Sequence, residues 1–208
     1  MIPVKVLAVK YLANASPALC RGLGIDSNTP SLGLLTTDCD DATYIALDQA
    51  TKAAQVQVAF GSSFYAGSAN ASTPYAGEVL GILAGPTPGA VRSGMEAALS
   101  TLERVGFEEV GGIPFLAYTV SSCGSFLAEE AGVAPGSPLA YLIAPPLESM
   151  YALDQALKAA DVKLCKLYAP PSPTNFGGAL LTGTQSACDA ACEAFRQGIG
   201  DVAANPKG

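Results

Sequence analysis

The sequence predicts an α+β protein made of one domain written twice, each copy carrying a mainly antiparallel sheet. Three observations lead there. The segment Ala46-Leu47-Asp48-Gln49-Ala50-Thr51-Lys52-Ala53-Ala54-Gln55-Val56 recurs as Ala152-Leu153-Asp154-Gln155-Ala156-Leu157-Lys158-Ala159-Ala160-Asp161-Val162, with 9 of 11 positions identical at an offset of 106. The flanks then align in both directions. Residues 31–35 match 137–141 without a gap, and residues 77–85 match 175–183 at an offset of 98, so the first copy carries eight extra residues between Phe60 and Gly77. Finally, half of the 208 residues are apolar and only 14% are charged, enough to bury two small cores. A period near 100 residues is too long for a solenoid repeat and describes whole domains. The expected division is 1–106 and 107–208, with the join near 105–114.

Each copy reads alike. A strand (4–9; 115–120) leads into a short helix (17–23; 125–131), and a second strand (32–36; 139–144) into an Ala-rich helix (44–54; 151–160). A third strand (56–60; 162–168) enters a loop rich in Gly, Ser and Pro. A fourth strand (78–84; 178–182) precedes the last helix (88–104; 186–202). In the first of these last helices Val91, Met95, Leu99 and Leu102 form an apolar stripe, and the spacing of Arg92 and Glu96 allows an outer-face pair.

Composition excludes several functions. Net charge is −7 and the 11 Lys and Arg residues are scattered, so the basic patch that binds nucleic acid is missing. The long uncharged stretch 110–128 is interrupted by Gly, Pro and Ser and predicts no membrane span. The amino terminus lacks the layout of a signal peptide, which predicts a cytoplasmic protein. There are six cysteines and no histidine. Cys188 and Cys192 fall in line with Ala191, Phe195, Ile199 and Val202, a stripe that predicts core thiols rather than metal ligands or a redox pair. Neither a metal nor a cofactor is expected.

An enzyme is not expected either. The commonest general base is absent, and no nucleophile with its base can be picked out. The turn at 84–89, Ala-Gly-Pro-Thr-Pro-Gly, lacks both the Gly-x-Gly-x-x-Gly spacing and a Walker lysine; it reads as a helix start with Pro88 in the first turn. Asp38, Asp40 and Asp41 do not have the spacing of a calcium loop, and Asp41 or Asp38 is expected to cap the helix entering at Thr43–Tyr44.

Two features remain for function. The first is the insertion at 61–75, uncharged and rich in small residues, with Phe64, Tyr65 and Tyr75 as its bulky members and Gly67 as a hinge candidate. The second is a charge asymmetry between the copies: Glu78 aligns with Phe176, and Glu148 with Ala42. The plain alternatives are a surface loop for the first and solvated carboxylates for the second.

Several motifs carry a resemblance: Ser31-Leu32-Gly33-Leu34, Asp38-Cys39-Asp40-Asp41-Ala42-Thr43-Tyr44, Tyr65-Ala66-Gly67, Ala76-Gly77-Glu78-Val79, Ala140-Tyr141-Leu142-Ile143-Ala144-Pro145-Pro146-Leu147-Glu148, Thr174-Asn175-Phe176 and Leu180-Leu181-Thr182-Gly183. Over essentially its whole length the chain resembles the EutL family of bacterial microcompartment shell proteins, although its connection at 105–114 looks shorter. The resemblance implies two circularly permuted, ferredoxin-like microcompartment domains in tandem. It implies a homotrimer of pseudo-sixfold symmetry that tiles edge to edge with other shell proteins around enzymes of ethanolamine utilisation, which places the protein in the microcompartment shell.

The resemblance also assigns residues. Phe64, Tyr65, Gly67, Tyr75, Asn175 and Phe176 would form the gated rim of a central pore. Asp40, Glu78, Phe107 and Glu148 would bind ethanolamine in a small pore. That residue set suits the ligand, since carboxylates accept charged hydrogen bonds from an ammonium group and an aromatic face attracts a cation. Two other readings stay open: an amine-sensing protein, and a shell protein for a different substrate.

Overall fold

The computed structural model describes residues 1–26, 28–63, 79–170 and 176–207. The chain divides into two compact units. The amino-terminal unit comprises Pro3–Val105 with Gly124–Leu127, and the carboxy-terminal unit comprises Met1–Ile2, Gly106–Cys123 and Ala128–Gly208. Short segments therefore depart from a simple cut at one peptide bond.

The amino-terminal unit runs β1 (Val6–Leu12), α1 (Pro17–Gly22), β2 (Ser31–Thr37), α2 (Asp40–Ala53), β3 (Gln57–Ser63), β4 (Val79–Gly85) and α3 (Pro88–Leu102). Its sheet has the order β1-β2-β4-β3 and every described pairing is antiparallel. Alternation along the strands separates two faces. Leu32, Ile82 and Ala84 pack with Ala15, Cys20 and Ile25 around α1. On the opposite face the helices lie so close that side chains are excluded: a Cβ on Gly33 would come within 2.8 Å of Val91 and Met95, and one on Gly81 within 2.7 Å of Leu47.

The carboxy-terminal unit adds β5 (Glu108–Val110), β6 (Ile113–Val120), α4 (Ser125–Ala131, of which Ser125–Leu127 belongs to the amino-terminal unit), β7 (Leu139–Ala144), α5 (Pro146–Ala159), β8 (Val162–Tyr168), β9 (Gly177–Gly183) and α6 (Gln185–Ala204). Its sheet order is β5-β6-β7-β9-β8. Apart from β5 this repeats the first sheet strand for strand. The core joins Phe115, Leu142 and Leu181 to Leu153, Cys188, Cys192 and Phe195. Both cysteines of the α6 stripe are thus core thiols.

One irregularity of the pairing repeats as well. The pairing of β3 with β4 shifts register between Val58 and Phe60, and that of β8 with β9 between Leu164 and Lys166. One edge strand of each sheet, β3 and β8, therefore bulges at one residue, Ala59 and Cys165, again 106 positions apart. Bulges twist an edge strand and interrupt its exposed hydrogen-bonding row.

The units divide between Val105 and Gly106, within the stretch 105–114, and that stretch continues into a β-hairpin, β5 turning into β6 through Gly111 (φ 58°) and Gly112 (φ 81°). Two successive residues at positive φ match the turn twist that antiparallel strands favour. The Ala-rich helices begin earlier than expected, at Asp40 and Pro146. The N-cap of α2 is Cys39, without a side-chain cap; Asp40 and Asp41 lie inside the first turn, where the helix dipole favours negative charge. Asp38 accepts the Lys5 N–H at 2.7 Å. Arg92 lies over the Tyr11 ring, 5.6 Å from its centroid.

Candidate functional site

Among the described residues, the start of α2 is the most highly charged buried place. Asp38, Asp40 and Asp41 are all buried. The turn that holds them is built from hydroxyls: the Thr37 and Thr43 Oγ1 atoms are 2.7 Å apart and each lies within hydrogen-bonding reach of the Cys39 carbonyl, so that one hydroxyl donates to the other while the second donates to that carbonyl. In return Thr37 Oγ1 accepts the Cys39 N–H. This fixes the backbone from which Asp40 projects.

Asp40 is 4% exposed. One carboxylate oxygen accepts the Asp41 N–H at 3.0 Å, and the Ser63 side chain at the end of β3 is a further partner. Burial raises its pKa from an ordinary 3.8 to about 6, against the opposing pull of these hydrogen bonds. Among the described residues no Lys or Arg forms an ion pair with it. Tyr44, one turn along α2, also has its pKa raised by burial and approaches Ser63. Such a carboxyl gains most from a small cation brought to it, because the cation restores the charge that burial suppresses.

The other expected ligand residues are placed as follows. Phe107 lies in the carboxy-terminal unit and is buried, meeting Phe176 edge to face with centroids 5.6 Å apart. Phe176, expected at the pore rim, is itself 9% exposed and immediately precedes β9. Glu148 is half-buried in the first turn of α5, behind Pro145 and Pro146. Asp40 belongs to the amino-terminal unit. Glu78, Phe64, Tyr65, Gly67, Tyr75 and Asn175 lie outside the described residues.

Sequence reasoning had no means of finding Ser63 or Tyr44 as partners of Asp40. Ser63 enters only because β3 runs three residues longer than its apolar pattern, through Gly61 and Ser62. Among the described residues no group of His, Cys, Asp and Glu is arranged to hold a metal ion. No helix there is long and apolar enough to cross a membrane.

Comparison with known proteins narrows the class. The family described as BMC domain matches residues 31–112. The bacterial microcompartment shell protein EutL of Clostridium perfringens is 55% identical over 212 residues, covering 100% of this chain and 98% of that protein. The EutL of Salmonella typhimurium is 46% identical over 99% of this chain and 96% of its own length. Among solved structures, the ethanolamine utilization protein EutL from Leptotrichia buccalis superposes with a TM-score of 0.93 at 53% identity, covering 100% of this chain and 97% of that one. Fold and comparisons together define a bacterial microcompartment shell protein, a structural component of the shell rather than an enzyme. Within that class the chain belongs to the EutL family.

Proposed function

We propose that three copies of this chain close into a ring of six similar wedges, the modules 1–106 and 107–208 alternating around a central pore. Two near-equal modules per chain under threefold symmetry give that arrangement, and a closed ring of wedges leaves an opening on its axis. Other shell proteins abut the ring edge to edge. The insertion with Phe64, Tyr65, Gly67 and Tyr75, together with Asn175 and Phe176, lines and gates the pore through which metabolites pass.

Ethanolamine is the proposed ligand of a separate small pore, held by Asp40, Glu78, Phe107 and Glu148. The observation that carries this is Asp40: a buried carboxyl at about 6, anchored by a backbone N–H and Ser63, with no basic side chain of the described residues paired to it. An ammonium ligand supplies the missing charge, and its hydroxyl can take a second carboxylate as acceptor. A relative 53% identical is named for ethanolamine utilisation, which fits the same chemistry. Titration calorimetry tests the assignment. Ethanolamine binds the wild-type protein, and Asp40→Asn and Glu78→Ala each weaken it at least tenfold, the effect of losing roughly 1.4 kcal/mol. Unchanged binding in both variants removes these residues from the site.

A further inference from the structure

Among the described residues, β5 is the one strand of the carboxy-terminal unit with no twin in the amino-terminal unit. Three residues long and paired only to β6 at the sheet edge, it is too short to hold itself in place. Two contacts pin it to α6. Arg196 presents its fork to Glu108, Nε donating to one carboxylate oxygen at 3.3 Å and Nη2 to the other at 2.8 Å. At the hairpin tip the backbone lies so close to α6 that a Cβ on Gly111 would come within 2.7 Å of Ala203.

The fork is itself held. Arg196 Nη1 donates to Glu193 at 2.7 Å, one turn back on α6, and the guanidinium lies over the Phe115 ring, 6.0 Å from its centroid. Phe115 is the β6 partner of Glu108 in the hairpin register. Phe195 and Ile199 bury the same stretch of α6 in the core, so the anchor stands on a packed helix. A bidentate arginine on such a platform fixes both the position and the orientation of a carboxylate. Glu108 directly follows Phe107, and what fixes the one fixes the backbone that carries the other. Phe107 is gripped from its far side too: its carbonyl accepts the Ile2 N–H at 2.6 Å, and a Cβ on Gly106 would run into the Ile2 carbonyl. The fold itself does not require the clamp. Counted from the capping threonines Thr87 and Thr184, Arg196 falls at the place of Leu99 in α3, and the four strands of the amino-terminal sheet pair without such a fork. The side chains of Arg196 and Glu108 are also 33% and 39% exposed, where solvent screens an ion pair and leaves it little weight in folding.

We propose that Arg196 is a positioning residue of the ligand site: through Glu108 it holds the start of the β5–β6 hairpin, so that Phe107 is in place before an ammonium ligand arrives. The inference rests on the reading of Asp40, Glu78, Phe107 and Glu148 as an ethanolamine site and deepens it. Arg196 itself touches no ligand. Its contribution is pre-organisation, since a segment already ordered has no ordering entropy left to lose on binding. Positive charge alone does not supply this, because a lysine offers one point charge in place of the planar fork.

Titration calorimetry with ethanolamine tests this on Arg196→Gln, Arg196→Lys, Phe107→Leu and the double variant Arg196→Gln/Phe107→Leu, with far-UV circular dichroism confirming that each folds. Arg196→Gln weakens binding about fivefold to tenfold, and Arg196→Lys nearly as much. The double variant binds no more weakly than Phe107→Leu alone, because a residue acting through Phe107 then has nothing left to position. Amide hydrogen exchange reads the clamp without any ligand: the Glu108–Val110 amides exchange faster in Arg196→Gln while β7 and β9 stay protected. Wild-type protein that binds no ethanolamine, or Phe107→Leu that binds like wild type, defeats the ligand reading on which the inference stands. Wild-type affinity in Arg196→Gln, or losses that multiply in the double variant, defeat the positioning role while leaving the ligand reading intact. Unchanged exchange at β5 defeats the clamp itself.

Discussion

Replacing Asp40 with Asn makes this shell protein more stable at neutral pH and less able to bind an amine. Burial raises the Asp40 pKa from 3.8 to about 6. At 1.36 kcal/mol per pH unit, keeping this carboxyl ionised in the folded state costs about 3 kcal/mol. The sign follows from proton binding. Between pH 4 and pH 6 the folded protein holds the proton more tightly than the unfolded chain, so this group's contribution to stability falls as pH rises through that window. Below pH 4 both states are protonated and the cost vanishes; above pH 6 it is complete. Asn keeps the acceptor for the Asp41 N–H but carries no charge. Urea unfolding at a fixed protein concentration, run at pH 4 and pH 8, therefore finds Asp40→Asn about 2–3 kcal/mol more stable than wild type at pH 8 and nearly equal to it at pH 4. Equal stability offsets at the two pH values would refute the idea that burial stores this free energy in Asp40.

Other consequences follow from the same packing. The proposed binding of ethanolamine at Asp40 would favour its ionised form, so calorimetry in buffers of different ionisation enthalpy is expected to find proton release near pH 6 and none at pH 8; release at neither pH excludes Asp40 as the ammonium partner. Asp48→Ala leaves the N–H groups of Gly124 and Leu127 without their acceptor and costs about 2–4 kcal/mol in urea unfolding; a loss under about 0.5 kcal/mol contradicts the buried cap. Gly124→Ala forces a Cβ against Thr51 Oγ1 and the Asp48 backbone carbonyl, and lowers stability by about 1–3 kcal/mol or more. A neutral outcome there shows that the segment yields easily.

Much of this was legible in the sequence for a specific reason. A long repeat at constant offset fixes relations between elements that single-helix propensities leave open, so the two sheets follow with the same strand order. The Cys188–Cys192 stripe was readable because helical periodicity and burial agree there. The start of α2 was misjudged because three aspartates look like capping residues, whereas hydroxyls of Thr37 and Thr43 organise the turn and Cys39 occupies the cap. The hairpin β5–β6 was hidden by its shortness: three residues ending in Gly111-Gly112 resemble a linker. Phe107 shows the same limit: its ring meets Phe176 edge to face, a contact between residues 69 positions apart that no local pattern announces.

On the proposed assembly a doubled module closes threefold into a perforated plate. Single-particle electron microscopy of the purified chain tests it most directly. The account predicts flat particles built from three 21.0 kDa chains, showing six similar wedges around an axial opening. Particles no larger than one chain, or compact oligomers without a threefold axis, would contradict it.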